Sequence, residues 1–270
     1  MFRALSLGAG VQSSTLALQI AEGEVPMVDV AVFSDTGDEP DEVYAWLDYL
    51  EPLLPFKVER VSDGRLSEVS TTLRTSKQSG NTYLRSSVPA FIRNANGKRG
   101  MGMRQCTRNH KIDPINRFLR KAAKVKRGTK EPVVTTLIGI SLDEVIRMKP
   151  SQQPWIKNEW PLIDLGMTRA DCLTWMAAHG YRTPPRSACV FCPYKSDAEW
   201  RRLKESDTKG FIDAQAYETM LQKAYAASTA LTGTPFLHNS MVPLGEVDFT
   251  KSTEKQVDAF NNECEGMCGV

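Results

Sequence analysis

Apolar residues along this chain fall into short unbroken runs and helical stripes that take turns. Phe2 to Leu7 is such a run and reads as a strand buried on both sides. It leads straight into Gly8-Ala9-Gly10-Val11-Gln12-Ser13-Ser14, after which Thr15 to Glu22 reads as a helix with Leu16, Leu18, Ile20 and Ala21 as its apolar positions. Val28 to Phe33 repeats the strand pattern. Ser34-Asp35-Thr36-Gly37 follows it, then a helix from about Pro40 to Leu50 in which Val43, Trp46, Leu47 and Leu50 recur at helical spacing. Lys57 to Val61 and Val133 to Ile140 read as further strands. This rhythm of strand, loop and helix predicts an α/β fold: a parallel sheet of five or six strands flanked by helices.

Ser67 to Gly102 breaks the rhythm. It is rich in Ser, Thr, Asn, Gly and Arg and has weak periodicity, so an irregular insertion over about 67–110 is expected, lying above the site. Beyond it, Ile112 to Val125 reads as a helix, with Ile115, Phe118, Leu119 and Ala122 on one face and Pro114 in its first turn. Thr168 to His179 is another, with Gly180 placed to end it. Asp197 to Leu203 and Ala214 to Leu231 complete the helices. Two units are expected, a nucleotide-binding domain over 1–203 and a helical carboxy-terminal extension over 204–270 with a cysteine-containing tail. Thr135, Thr136 and Gly139 interrupt the longest apolar stretch, far short of the ~18–20 residues that cross a bilayer. Gln12-Ser13-Ser14 interrupts the opening run too early for a signal peptide. A cytoplasmic protein without a membrane partner is expected.

Composition changes this picture little: 270 residues, 41% hydrophobic and 24% charged, suffice for a substantial core and exclude a disordered chain. Charge changes it more. The net charge is only +2, yet Arg93 to Lys130 holds thirteen Lys or Arg against one acidic residue, Asp113. Ser196 to Val270 holds twelve Asp or Glu against seven Lys or Arg. The basic run is either a solvated helix face or a polyanion site that could take tRNA or DNA.

Six cysteines without a secretory signal suggest a reducing compartment and metal or catalytic use. Cys189-Val190-Phe191-Cys192 has the spacing at which two thiolates turn onto one centre, whereas Cys172, mid-helix beside Leu173, reads as a buried apolar residue. His110 lies in the basic run within reach of a phosphate, His179 at a helix end and His238 in a loop; structural roles are expected for all three. Trp155, Trp160, Trp175 and Trp200 read as core or interface.

A glycine turn that opens a helix offers backbone N–H groups to an anion. Gly8 to Ser14 lacks the Gly-Lys-Ser/Thr of a Walker loop and the third glycine of a dinucleotide fold. With Ser34 to Gly37 at the carboxyl end of the next strand, however, it defines a nucleotide cleft. The residues Ser6 to Ser13 resemble the pyrophosphate loop of the adenine-nucleotide α-hydrolase superfamily. Phe33-Ser34-Asp35-Thr36-Gly37, with Pro40 and Glu42, is similar to the Asp-Thr-Gly motif of the phosphoadenylyl-sulfate (PAPS) reductase family. Arg104-Gln105-Cys106-Thr107 with Lys111 and Pro114 resembles the Cys-x-Lys-x-x-Pro region of its iron–sulfur members. Gly139 to Glu144 with Arg147, and Ser187 to Pro193 after Pro184 and Pro185, resemble two further segments. Glu263-Cys264 is similar to the carboxy-terminal Glu-Cys of sulfonucleotide reductases. The likeness covers Phe2 to Leu203. It departs where Gln12 replaces the loop aspartate of ATP-cleaving members, where Ser141 stands for an arginine, and where Gln105-Cys106 replaces a cysteine pair.

The resemblance implies an enzyme of sulfur metabolism. Adenine nucleotide, ATP or a sulfonucleotide, would lie across Ser6, Gly8, Gly10, Gln12, Ser13, Asp35, Thr36 and Gly37, with Arg104, Lys111 and Arg147 neutralising phosphate or sulfate and Mg²⁺ as a companion of the phosphates. Cys106, Cys189 and Cys192 would hold a 4Fe–4S cluster, completed by Cys268, Cys264 or Cys172 or left open at one iron; the same thiolates suit zinc. Cys264 or Cys268 would attack sulfur as a thiolate, with an outside thiol or electron donor as partner. The alternative is an ATP pyrophosphatase that adenylates a nucleic-acid base or phosphate for thiolation. A third reading is a non-enzymatic nucleotide-binding module with a structural zinc site.

Overall fold

The computed structural model describes residues 1–251; Cys264 and Cys268, the expected nucleophiles, lie outside them. The central sheet consists of β1 (Phe2–Ser6), β2 (Val30–Ser34), β3 (Val58–Val61), β8 (Val134–Ile138) and β9 (Ile156–Glu159) in the order β3-β2-β1-β8-β9, with every pair parallel. Parallel strands need crossovers, and those cover both faces with helix. Successive residues of each strand therefore enter different cores. Leu5, Ala31, Phe33 and Leu137 pack on one face under α1 (Val11–Glu22), α2 (Asp41–Leu50) and α6 (Arg169–Ala178). Ala4, Val30, Val32, Val134 and Ile138 pack on the other against Ile115 and Leu119 of α4 (Asp113–Ala122).

The sheet has the parallel five-strand form expected, and the differences lie at its margins. α1 begins at Val11, not Thr15, because Gly10 caps it and the polar residues Gln12 to Thr15 are buried helix, not exposed loop. β9 was not foreseen: it is an edge strand on which Lys157 pairs with Glu159, a charged sequence that lacks the apolar run of its neighbours. The insertion is not a single irregular loop. It folds into α3 (Leu66–Thr71), an antiparallel pair β4 (Leu73–Thr75) and β5 (Thr82–Leu84), and strands β6 (Phe91–Arg93) and β7 (Arg99–Met101). β10 (Thr234–Phe236) joins β6 from the far end of the described chain.

After α7 (Asp197–Ser206), capped by the Ser196–Glu199 box, α8 starts at Thr208, not Ala214, and runs to Ala227. Gly210 hides that start in the sequence, but the Asp207 carboxylate accepts the Gly210 N–H at 2.8 Å and leaves no room for a side chain. Phe211, Tyr217 and Leu221 of α8 share a core with Leu66, Val88, Ala90, Val190 and Phe191. The insertion, the Cys189–Cys192 segment and the carboxy-terminal helices are thus packed together against the carboxyl edge of the sheet. No helix among the described residues is long and apolar enough to cross a membrane.

Candidate active site

The turn after β1 is built almost wholly from backbone. Gly8 N–H donates to Ser13 Oγ at 3.1 Å and Ser14 N–H to Gly10 O at 3.0 Å, while Ala9 sits at φ 59°, a left-handed conformation costly for a residue with a side chain. Gly8 to Ser14 are all buried. What covers them is the end of β8: a Cβ on Gly139 would lie 2.7 Å from Ser13 N, so only glycine lets the two backbones meet. Gly139 thereby brings the next residues over the turn. Gln12 Nε2 donates to Ser141 Oγ at 3.3 Å and to Glu144 Oε2 at 3.1 Å, Arg169 donates to Gln12 Oε1 at 3.2 Å, and Arg147 donates to Glu144 Oε1 at 2.5 Å. A carboxylate paired with Arg147 is thus drawn to the first turn of α1, where the helix dipole favours negative charge, and Arg169 reaches the same turn through Gln12.

The turn after β2 is built from side chains. Asp35 Oδ1 accepts from Gly37 N–H and from Tyr44 Oη, each at 2.8 Å, closing a tight turn in which Gly37 has φ +73°. Burial, reinforced by Asp35, pushes the Tyr44 hydroxyl far above its ordinary pKa, so it stays a donor. Asp38 is held by Arg65 Nε at 2.9 Å and by the N–H and hydroxyl of Ser67. Glu39 is completely enclosed and faces Lys111, itself nearly so, with Nζ 3.5 Å from Oε1. Its other oxygen, Oε2, is buried with no hydrogen-bond partner. The cavity against this turn, reaching Glu39, Tyr44 and Arg65, holds about 90 Å³, below the ~300 Å³ of an ordinary small-molecule site.

The Cys-x-x-Cys segment closes onto this second turn. Val190 N–H donates to Asp38 O at 2.9 Å, which sets Cys189 Sγ 3.4 Å from Thr36 Oγ1 and 3.9 Å from Glu39 Oε1. Cys192 N–H returns to Cys189 O at 3.0 Å, closing a tight backbone turn between the two cysteines. Cys106 packs on the same core as Cys189 and Phe191. Tyr217 lies stacked on Phe191 with ring centroids 3.8 Å apart and its hydroxyl on Ser70; burial raises its pKa, and Cys106 and Cys189 add to that effect. Lys195 keeps some exposed surface, but desolvation of its ammonium group lowers its pKa, with Cys192 and Cys189 pulling it back and Arg186 pushing it down. Cys189 thus acts together with Cys106 on Tyr217 and together with Cys192 on Lys195. Among the described residues, however, no group of three or more His, Cys, Asp and Glu is close enough to hold a metal ion.

The anticipated cations are all near this edge, each already bonded within the protein. Arg104 donates to Thr107 Oγ1 and lies 5.3 Å over the Tyr194 ring; Lys111 faces Glu39; Arg147 holds Glu144. Beside Tyr194, a cleft of about 850 Å³ opens between Pro193–Asp197 and β7. Ser34 Oγ donates to His110 O at 2.7 Å, and His110 itself is buried, facing inward instead of toward a phosphate. His238, expected in a loop, is pinned there by Asp197 and Ser240. Cys172 is fully buried in α6. Sequence reading quoted Glu144 within the Gly139–Glu144 segment without giving it a role, and passed over Glu39, Arg169, Lys195 and Tyr217. Only Glu144 had a local signal, standing three residues before Arg147. No protein-family model matches the chain, and no curated protein matches it.

Proposed function

We propose that this protein is a PAPS-reductase-like enzyme of adenine-nucleotide α-hydrolase type that acts on an adenylylated sulfur compound. One observation carries the reading. Cys189 Sγ and Thr36 Oγ1, 153 residues apart in the chain, meet at 3.4 Å, so the Cys-x-x-Cys segment and the Asp-Thr-Gly turn share one edge with the glycine turn. That is the carboxyl edge of a parallel sheet, where such folds collect their ligands. Nucleotide would lie over Gly8 to Ser13 and Asp35 to Gly37, and its entry requires the Gln12–Glu144 contact to open. Opening transfers Arg147 and Arg169 from Glu144 and Gln12 to the incoming phosphate or sulfate.

Cys106, Cys189 and Cys192 are soft ligands in chemistry, with Cys189 and Cys192 acting on the Lys195 ammonium, but the described residues do not gather three such groups closely enough to hold a metal ion; a centre there would need the thiols to draw together and a fourth ligand such as Cys268. A 4Fe–4S cluster would supply an electron-poor centre beside the nucleotide; zinc would supply charge without redox chemistry. In the proposed reaction the thiolate of Cys264 or Cys268 attacks sulfur, and the bond from sulfur to the nucleotide's phosphate oxygen breaks with its electron pair leaving on the nucleotide. A second thiol then releases sulfite, and an outside thiol or electron donor reduces the resulting disulfide.

A second reading is favoured by Glu144, whose carboxylate reaches Gln12 and returns an acid to a turn that lacks one. A Mg²⁺ carried there beside the phosphates would suit an ATP pyrophosphatase. Equilibrium binding on anaerobically purified protein separates the two, comparing Mg-ATP with adenylyl sulfate and its 3′-phosphorylated form. Preference for a sulfonucleotide, with iron in the protein, is the expected result. Preference for ATP selects the pyrophosphatase, and binding of neither overturns both.

A further inference from the structure

The cleft of about 850 Å³ between Pro193–Asp197 and β7 is separate from the two turns. Each of its walls runs on to a cysteine. Pro193 follows Cys192 directly. β7 leads past Arg104, whose guanidinium lies 5.3 Å over the Tyr194 ring, to Cys106 and then to a π-turn, Arg108–Ile112, closed by Asp113 N–H on Arg108 O.

β7 is an edge strand, since its sheet has the order β10-β6-β7. The pairing fixes which of its backbone groups are open. Gly102 N–H donates to Ala90 O at 2.8 Å and Asn94 N–H to Lys98 O at 3.0 Å, so Lys98, Gly100 and Gly102 turn their main chain toward β6. Arg99 and Met101 turn theirs away, and among the described residues nothing bonds to it. An open edge of this kind is a template for another strand. The same register puts the side chains of Arg99 and Met101 on one face with Arg93 and Phe91. That face borders the cleft, which Phe91, Arg99, Gly100 and Met101 line from one side and Tyr194 and Lys195 from the other. All six keep accessible surface.

The charge around the cleft is one-sided. Arg93 and Arg99 stand directly opposite each other across β6 and β7, a like-charge pairing that costs stability. Their guanidinium groups donate to the carbonyls of Met241 and Asn239, which leaves both charges uncancelled. The Lys195 ammonium lies 5.9 Å over the Trp200 ring, and no carboxylate among the described residues pairs with it or with the two arginines. Asp197, an acid in the wall, is held by His238 at 2.9 Å. From residue 69 to residue 112 the sequence has nine Lys or Arg and no acid. A nucleic acid would use this charge and leave the strand edge unpaired. A second copy would set β7 against β7, cation against cation. An acidic polypeptide satisfies both the charge and the edge.

We propose that this cleft is a docking groove for an extended acidic segment of a partner protein, which adds a strand to β7. Its main chain bonds the N–H and C=O groups of Arg99 and Met101 at the ~4.8 Å spacing of paired strands. Its alternate side chains enter the cleft: an acid beside Arg99, and two positions away an aromatic residue beside Met101, Phe91 and Tyr194. Acid, any residue, aromatic is therefore the pattern read, in either chain direction. The assignment goes beyond the proposed enzyme and stands whichever nucleotide that site takes.

The test is fluorescence anisotropy on the full chain with the labelled peptide acetyl-Thr-Val-Thr-Glu-Thr-Phe-Thr. Binding is expected, and its absence overturns the proposal. Methylating the backbone nitrogens of the peptide's central residues should weaken it at least about tenfold; unchanged affinity overturns strand addition. Moving Glu next to Phe sends the two to opposite faces and should weaken binding as much. Arg99→Gln should weaken the peptide about tenfold and leave its Glu-to-Gln version unaffected. Met101→Pro removes the outward N–H without touching a bond to β6 and should abolish binding; if that variant fails to fold, the methylated peptide makes the same test on unaltered protein. Displacement by oligo-dT below the peptide's own Kd assigns the cleft to a polyanion and overturns the proposal. Asp258→Ala with Phe260→Ala should leave affinity unchanged; tighter binding would show the chain's own end competing for the groove and would overturn the assignment to a partner. Adenine-nucleotide binding measured on the Arg99→Gln protein should be unaltered, which separates failure of the groove from failure of the proposed enzyme.

Discussion

The turns at 8–14 and 35–39 leave adjacent parallel strands at one edge of the sheet, yet the first contains no ionisable side chain and the second contains Asp35, Asp38 and Glu39. Around the first, backbone meets backbone through Gly139, and the charges of Glu144, Arg147 and Arg169 are borrowed from later in the chain. Around the second, an enclosed carboxylate is balanced by Lys111 and bordered by a thiol. The first should therefore fail when volume is added, the second when charge is removed.

The largest effect is expected at the second turn. Lys111→Met strands the Glu39 carboxylate in the interior and should cost about 3–5 kcal/mol in urea unfolding; adding Glu39→Met should restore most of it. If the single change costs no more than a surface substitution, the pair does not hold this turn. At the first turn, Gly139→Val should cost about 1–3 kcal/mol by forcing Ser13 away, with the same loss at high and low salt. A salt-dependent loss there would erase the contrast between the turns. Gln12→Ala should cost about 1 kcal/mol and speed nucleotide entry, since it releases Glu144 and Arg169 together.

The smallest effect is in pH dependence. Burial lowers the His110 pKa below its ordinary 6.5, partly opposed by Asp63. As pH falls through ~6.5 the unfolded chain takes up the proton first, so native stability drops from there toward the lower folded pKa and is unaffected above it. His110→Gln should flatten that part of the profile, read as urea midpoints between about pH 7.5 and 5.5. An unchanged slope would place the proton uptake elsewhere.

The central sheet was legible because strands covered on both faces are largely apolar: β2 and β8, buried along their whole length, stand out as runs although Ser34 ends the first and Thr135 and Thr136 sit in the second. β9 was not, since an edge strand tolerates Lys157 and Glu159. The start of α1 was misplaced because Gln12, Ser13, Ser14 and Thr15 have the composition of a loop; what buries them is Gly139, over a hundred residues on. The two turns and the Cys-x-x-Cys were visible as motifs, and their meeting at Thr36 and Cys189 was only implied. Glu39 could not be singled out. An acid in a row of acids looks solvated until the fold brings Lys111 to it. Cys172, by contrast, was readable as core because its helix carries an apolar stripe around it.

The π-turn at Arg108–Ile112 holds one residue more than a regular turn would. Since each residue advances a helix by about 100°, deleting one residue between 108 and 112 would restore ordinary helical bonding and rotate everything before it by that angle relative to α4. Cys106 and Lys111 could not then both keep their present neighbours. A single codon's length thus sets the phase between Cys106 and the basic helix, and a length change there would uncouple the two without altering the identity of any other residue.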